Sequence, residues 1–155
     1  MKRKILLIAL FSIVFDQIIK YIFSTFITGF TVIPGFLSFI YVKNTGVAFS
    51  MLSNQRIFII VISIILLIIL GVFLKRDYLS LKKDDTLTDV TYGFLFGGIL
   101  GNLIDRIFRG YVVDYVSLNI FGYDFPIFNL ADVLITVGVI ILFIITIRND
   151  KKKTS

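Results

Sequence analysis

From Ile57 to Leu74 the chain runs for 18 residues without a charge, and Arg56 and Lys75 stand at its two ends. As a helix this run is about 27 Å long, close to the roughly 30 Å hydrocarbon thickness of a bilayer. Its side chains are apolar on every face, so in water such a helix needs a deep protein interior around it. A chain of 155 residues offers too little of that interior. With 57% hydrophobic residues, 17% charged residues and a mean hydropathy of +0.97, the composition points to an integral membrane protein.

Three more apolar runs fit this class. Met1-Lys2-Arg3-Lys4 and the apolar stretch from Ile5 look like a secretory signal. The stretch meets no small-residue cleavage site and continues through Asp16 and Lys20 to Phe23, so it reads as a retained first span over 5–23. The second span is 57–74. A third, over 87–104, carries Gly93, Gly97, Gly98 and Gly101, a spacing that lets helices approach closely. A fourth covers 131–147. Eleven Lys and Arg residues lie in the N-terminal segment, the 75–86 loop and the C-terminal tail, against four (Lys43, Arg56, Arg106 and Arg109) on the other side. The positive-inside rule then puts both termini in the cytoplasm and segments 24–56 and 105–130 outside. These outer segments are aromatic and β-branched. Thr31-Val32-Ile33, the Pro34-Gly35 break and Phe36 to Val42 read as strands with a turn, and Tyr111 to Tyr123 as a further strand pair. The expected architecture is one membrane domain, mainly α, with four transmembrane helices and a small β-rich extracytoplasmic platform.

The net charge of +6 comes from basic residues at the chain ends and in one loop, without a basic stripe, so nucleic acid is not an expected partner. The sequence has no His, no Cys and no Glu; all ten acidic residues are Asp. Ser-His-Asp and Cys-His chemistries are excluded, as is a zinc site of the usual ligand type. No metal or cofactor is expected. Proton transfer must come from Asp, Lys or Tyr.

Polar residues within spans are costly and call for a reason. Asp16 and Lys20, spaced i, i+4, read as an ion pair with a mainly structural role beside whatever site the protein holds. Asn102, Asp105 and Arg106 share a helix face at the outer end of the third span. Arg106 is suited to grip a carboxylate, and Asp105 reads as its ionised partner rather than as a catalytic acid. Asp114 sits alone in the apolar stretch Gly110-Tyr111-Val112-Val113-Asp114-Tyr115. Asn129 and Asp132, spaced i, i+3, have a plain reading as a helix N-cap with an acidic first turn. A second reading takes Asp114 and Asp132 together. A loop of 17 residues separates them. If it folds back, two carboxylates in a partly dry site share one proton, one activating water and the other donating to a scissile carbonyl.

At these residues the chain resembles lipoprotein signal peptidase (signal peptidase II) along nearly its whole length. The likeness is carried by Asp16-Gln17-Ile18-Ile19-Lys20, Asn44-Thr45-Gly46-Val47-Ala48-Phe49, Gly98 to Arg106, Gly110 to Asp114, and Phe128-Asn129-Leu130-Ala131-Asp132. Tyr115 stands where the family often has Phe, and Phe125 where Trp often precedes the Pro126 position; both keep aromatic bulk. The resemblance implies an aspartyl endopeptidase with Asp114 and Asp132 as the catalytic dyad and no metal. It implies that Asn44, Asn102, Arg106 and Asn129 line the site, with Asp16, Lys20, Asp105 and Gly46 in support. It also implies a bacterial plasma-membrane location and prolipoprotein substrates, cut just before a diacylglyceryl-modified Cys, with membrane lipid beside the site. The residues leave two other readings open, a small proton- or ion-coupled transporter and a non-enzymatic assembly factor docking through its Gly-rich span. Oligomeric state is not legible.

Overall fold

The computed structural model describes residues 3–47, 51–80 and 86–153. Lys2, Lys82 and Lys83, which entered the charge count, and Ala48 and Phe49 of the Asn44 motif lie outside the described residues. The elements run α1 (Arg3–Phe26), β1 (Gly29–Ile33), β2 (Leu37–Asn44), α2 (Arg56–Ser80), α3 (Thr86–Phe108), β3 (Val112–Ile120), β4 (Tyr123–Asp124) and α4 (Leu130–Lys153). Among the described residues four helices, one in each of these α elements, are long and apolar enough to cross a membrane. The helix of the third span does not stop where its apolar run ends. It continues to Phe108 and so carries Asp105 and Arg106 on regular helix rather than on an outer loop. Backbone hydrogen bonds do not end at the edge of a hydrophobic run, so a helix can outlast its apolar stretch.

α3 is the hub, and its glycines are the reason. A Cβ on Gly93 would sit 2.5 Å from the Ile8 side chain, and one on Gly97 2.6 Å from Ser12, both on α1. A Cβ on Gly98 would sit 2.6 Å from the Ala131 carbonyl oxygen of α4. Only a missing side chain lets the three backbones come this close, which in lipid is the main source of helix association. α2 instead presents exposed apolar side chains such as Ile57, Ile68 and Val72 around its surface, as a lipid-facing helix does.

The strands form one antiparallel sheet in the order β1-β2-β3-β4. Pro34 and Gly35 make the β1–β2 turn, closed by the Phe36 N–H to the Ile33 carbonyl at 3.0 Å, with Gly35 at φ +72°; Pro then Gly is what a type II turn requires. The β3–β4 turn is Phe121-Gly122, both at positive φ, the two-residue form that matches strand twist. Along β3 the faces alternate. Val113 and Tyr115 join Phe23 of α1 in an apolar cluster, with the Phe23 and Tyr115 rings stacked at 4.5 Å. Asp114, between them, points the other way. Phe128 then bridges back to Val116, with hydrogen bonds of 2.8 and 3.1 Å. That bridge lays the start of α4 beside β3.

Candidate active site

The bridge at Phe128 brings residue 129 within reach of residue 114. The Asn129 side-chain amide donates to Asp114 Oδ1 at 2.7 Å, and the Asn44 amide, carried by the neighbouring strand β2, donates to Asp114 Oδ2 at 2.8 Å. Asn44 cannot turn its amide the other way at no cost, because its Oδ1 accepts the Gly46 N–H at 2.9 Å. Asp114 is 2% exposed. Burial pushes its carboxyl up to about 6, the two asparagine donors and the Lys20 charge opposing the shift and the Asp132 charge adding to it.

Asp132 belongs to the first turn of α4. Asn129 is the N-cap of that helix: its Oδ1 accepts the Asp132 N–H at 3.0 Å, and Asp132 Oδ2 accepts the Asn129 N–H at 3.1 Å. This is a reciprocal capping box. The plain reading of this pair and its place beside Asp114 are therefore both present, in the same residues. Asp132 Oδ1 accepts the Asn102 amide at 2.8 Å, and Asn102 Oδ1 in turn accepts the Asn129 amide at 3.2 Å. Two asparagines thus tie the two aspartates together, while Asp132 stays only half-buried.

Below this network lies a charge cluster in which Asp16, Lys20 and Asp105 are fully buried. Lys20 pairs with Asp16 at 2.8 Å and with Asp105 at 3.0 Å, and it donates to Asn102 Oδ1 at 2.8 Å. Asp16 Oδ1 also accepts the Ala131 N–H at 3.1 Å, so α1 helps to cap α4. The expected Asp105–Arg106 partnership is corrected here. Asp105 pairs with Lys20 and Arg109 and accepts the Val113 N–H at 3.3 Å. Arg106 turns to the Gly46 carbonyl at 2.8 Å and the Asn102 carbonyl at 3.3 Å, and its buried Nε has no hydrogen-bond partner among the described residues. The cause is geometric: adjacent residues on a helix point about 100° apart and do not face each other. Arg106 still lies where the charges of Asp132, Asp114 and Asp105 all act on it.

Three participants were not singled out from the sequence. Gln17 donates to the Gly101 carbonyl and to Asp105, both at 3.2 Å. Arg109 completes the pairing of Asp105. Arg56 donates to the Arg106 and Ile107 carbonyls at 2.7 and 2.8 Å, closing the end of α3. The i, i+4 spacing of Asp105 and Arg109 was a readable signal; for Gln17 and Arg56 there was none, since their partners are far away in sequence.

A family model described as "Signal peptidase (SPase) II" matches residues 8–148. Lipoprotein signal peptidases of Staphylococcus aureus, strains JH9 and Newman among them, are 43% identical over 151 residues, spanning 96% of this chain and 90% of theirs. Two solved structures, each described as a bacterial membrane enzyme obtained by the in meso method, superpose closely. The first, at 2.3 Å resolution, has a TM-score of 0.81 and 39% identity over 96% of this chain and 90% of its own. The second, at 1.9 Å, has a TM-score of 0.77 and 42% identity over 92% and 91%.

Proposed function

The chain belongs to the signal peptidase II family and is a peptidase, and from that premise we propose that Asp114 and Asp132 are its catalytic dyad, releasing signal peptides from prolipoproteins. The observation that carries this reading is the pair of asparagines that joins the two carboxylates. Asp114, whose burial raises its affinity for a proton, is the member of the pair that carries the shared proton and hydrogen-bonds it to the scissile carbonyl oxygen. Asp132, half-buried at a helix N-terminus with a donor on each oxygen, takes a proton from water. The proton gained by Asp132 then serves the departing amine. Asn44, Asn102, Arg106 and Asn129 line this site, and Gly46 holds Asn44 and Arg106 in place through its N–H and its carbonyl.

The substrate is a prolipoprotein whose Cys after the cleavage site bears a diacylglyceryl group. The dyad sits at the ends of α1, α3 and α4 beside the sheet, where a bilayer would meet water. Each buried CH₂ of an acyl chain contributes about 0.8 kcal/mol to membrane attachment, so the lipid holds the modified Cys at one depth and orients the scissile bond. The site faces outward from a bacterial plasma membrane, with both termini in the cytoplasm; the basic asymmetry of the sequence supports this orientation.

The test is turnover of one prolipoprotein, lipidated and unmodified, by purified wild type, Asp114→Asn and Asp132→Asn. Wild type cleaves the lipidated form, and neither variant cleaves it although both stay folded. Near wild-type turnover by either variant removes the dyad. Equal cleavage of the two substrate forms removes the lipid requirement and leaves the aspartyl mechanism standing.

A further inference from the structure

An ammonium group has three N–H donors and no acceptor. Those of Lys20 meet three acceptors: Asp16 Oδ2, Asp105 Oδ2 and Asn102 Oδ1, at 2.8, 3.0 and 2.8 Å. Two carboxylates already balance the Lys20 charge, and Arg109 adds a second cation on Asp105. The third bond therefore does something that charge neutrality does not require. It goes to a neutral amide whose other end donates to Asp132 at 2.8 Å.

An asparagine amide has two orientations of nearly equal shape. At Asn102 they differ sharply in energy. As placed, Oδ1 faces the Lys20 ammonium and Nδ2 faces the Asp132 carboxylate. Reversed, an NH₂ group would face an ammonium and an oxygen would face a carboxylate, two repulsive contacts in a low-dielectric site. Asn129 adds the same bias, since its amide donates to Asn102 Oδ1, and Asn129 is itself held by the Asp132 N–H on its own Oδ1. The charged groups around this chain are Asp16 and Lys20 on α1, Asp105 and Arg106 on α3, Arg109 just beyond it, Asp114 on β3 and Asp132 on α4. Arg106 spends its donors on the Gly46 and Asn102 carbonyls and not on either Asn102 side-chain atom.

We infer that Lys20 is a positioning residue for catalysis: it holds the Asn102 amide with its N–H toward Asp132, and so keeps that carboxylate in place. The inference rests on the dyad reading and adds to it. It makes the first-span pair more than a brace, because one member reaches the reacting groups through a single side chain.

The test uses purified full-length protein in the Asp16→Asn background, which spares the fold a lone buried charge. Lys20→Met removes the donor, and Lys20→Gln keeps a neutral one. Folding is read by thermal melting, and kcat and KM by cleavage of lipidated prolipoprotein. The expected result for the folded Met variant is a kcat lower by about hundredfold with KM little changed. The Gln variant regains about tenfold of that loss. In an Asn102→Ala background the Met change causes no further loss, because there is no amide left to orient. A folded Met variant with wild-type kcat overturns the inference, as do losses that add in the Asn102→Ala background. If the Met variant does not fold, the Gln variant decides: a kcat within about tenfold of wild type supports the donor role, and a folded Gln variant with a loss of about hundredfold overturns it in favour of the charge itself. Failure of the dyad reading looks different, since it appears as activity in Asp114→Asn or Asp132→Asn with Lys20 intact.

Discussion

Asp114 is a carboxylic acid placed where water is scarce, and its neighbours decide how far that raises its affinity for a proton. Its pKa of about 6 lies above the ordinary 3.8. A carboxyl that holds its proton more tightly when folded than when unfolded stabilises the fold fully below the unfolded value. That contribution is lost as pH rises through the folded one. For Asp114 the window runs from 3.8 to about 6. Melting temperatures of wild type and Asp114→Asn, measured in one detergent from pH 4 to 8, should therefore separate with pH. Wild type loses ground relative to the variant by an amount equivalent to on the order of 3 kcal/mol, nearly all of it before pH 7. Parallel melting curves across that range would remove the buried, proton-holding role of this residue. At the same scale, the candidates Asn102, Asp105, Arg106, Asp114, Asn129 and Asp132 were all nameable from their types and spacing. Which atom faces which was not. Asp105 and Arg106 are adjacent in sequence and turn to different partners, because a helix points them apart.

At the scale of elements, α3 both carries part of the site and sets the distance to its neighbours. The Gly-rich spacing was readable as a close-packing signal, and the structure shows what it packs against: Gly93 and Gly97 meet α1, while Gly98 meets the start of α4. A side chain at Gly98 would collide with the Ala131 carbonyl, one residue from Asp132. Gly98→Val should lower folded stability by about 1–3 kcal/mol. It should also depress kcat in whatever folded fraction remains, because α4 must move and takes Asp132 with it. Gly71→Val, on α2, adds a Cβ with nothing within 4 Å, and should leave melting temperature and activity near wild type. Equal effects of the two substitutions would mean that the glycines of α3 do not set helix spacing. The strands were legible from β-branched and aromatic runs around Pro34-Gly35. The β3-to-α4 bridge at Phe128 was not, because an isolated pairing leaves no periodic trace.

On the scale of the whole molecule the property to measure is orientation in the bilayer. Single cysteines test it directly, since the chain has none of its own. Phe121→Cys, at the exposed β3–β4 turn, and Thr31→Cys on β1 should react with a membrane-impermeant thiol reagent applied to intact cells. Lys82→Cys and Lys152→Cys should react only after the membrane is opened. The reverse pattern would place the sheet and the proposed dyad on the cytoplasmic side. The physical basis is the excess of Lys and Arg in the N-terminal segment, the 75–86 loop and the tail.

Several properties were determined by the sequence alone. Four apolar runs of spanning length fix the class, because a bilayer accepts backbone only when its hydrogen bonds close within a helix or a closed barrel. The absence of His, Cys and Glu leaves Asp, Lys and Tyr to carry acid–base chemistry. These conclusions follow from counts and periods, which need no partner to be known. The tertiary structure alone decided which groups meet. Asn44 from β2, Asn102 from α3, Asp114 from β3 and Asn129 and Asp132 from the start of α4 converge because Phe128 pairs with Val116 and the α3 glycines admit α4. Lys20 reaches Asn102 across 82 residues of chain. A hydrogen bond depends on distance and direction in space, and neither can be read from separation along the sequence.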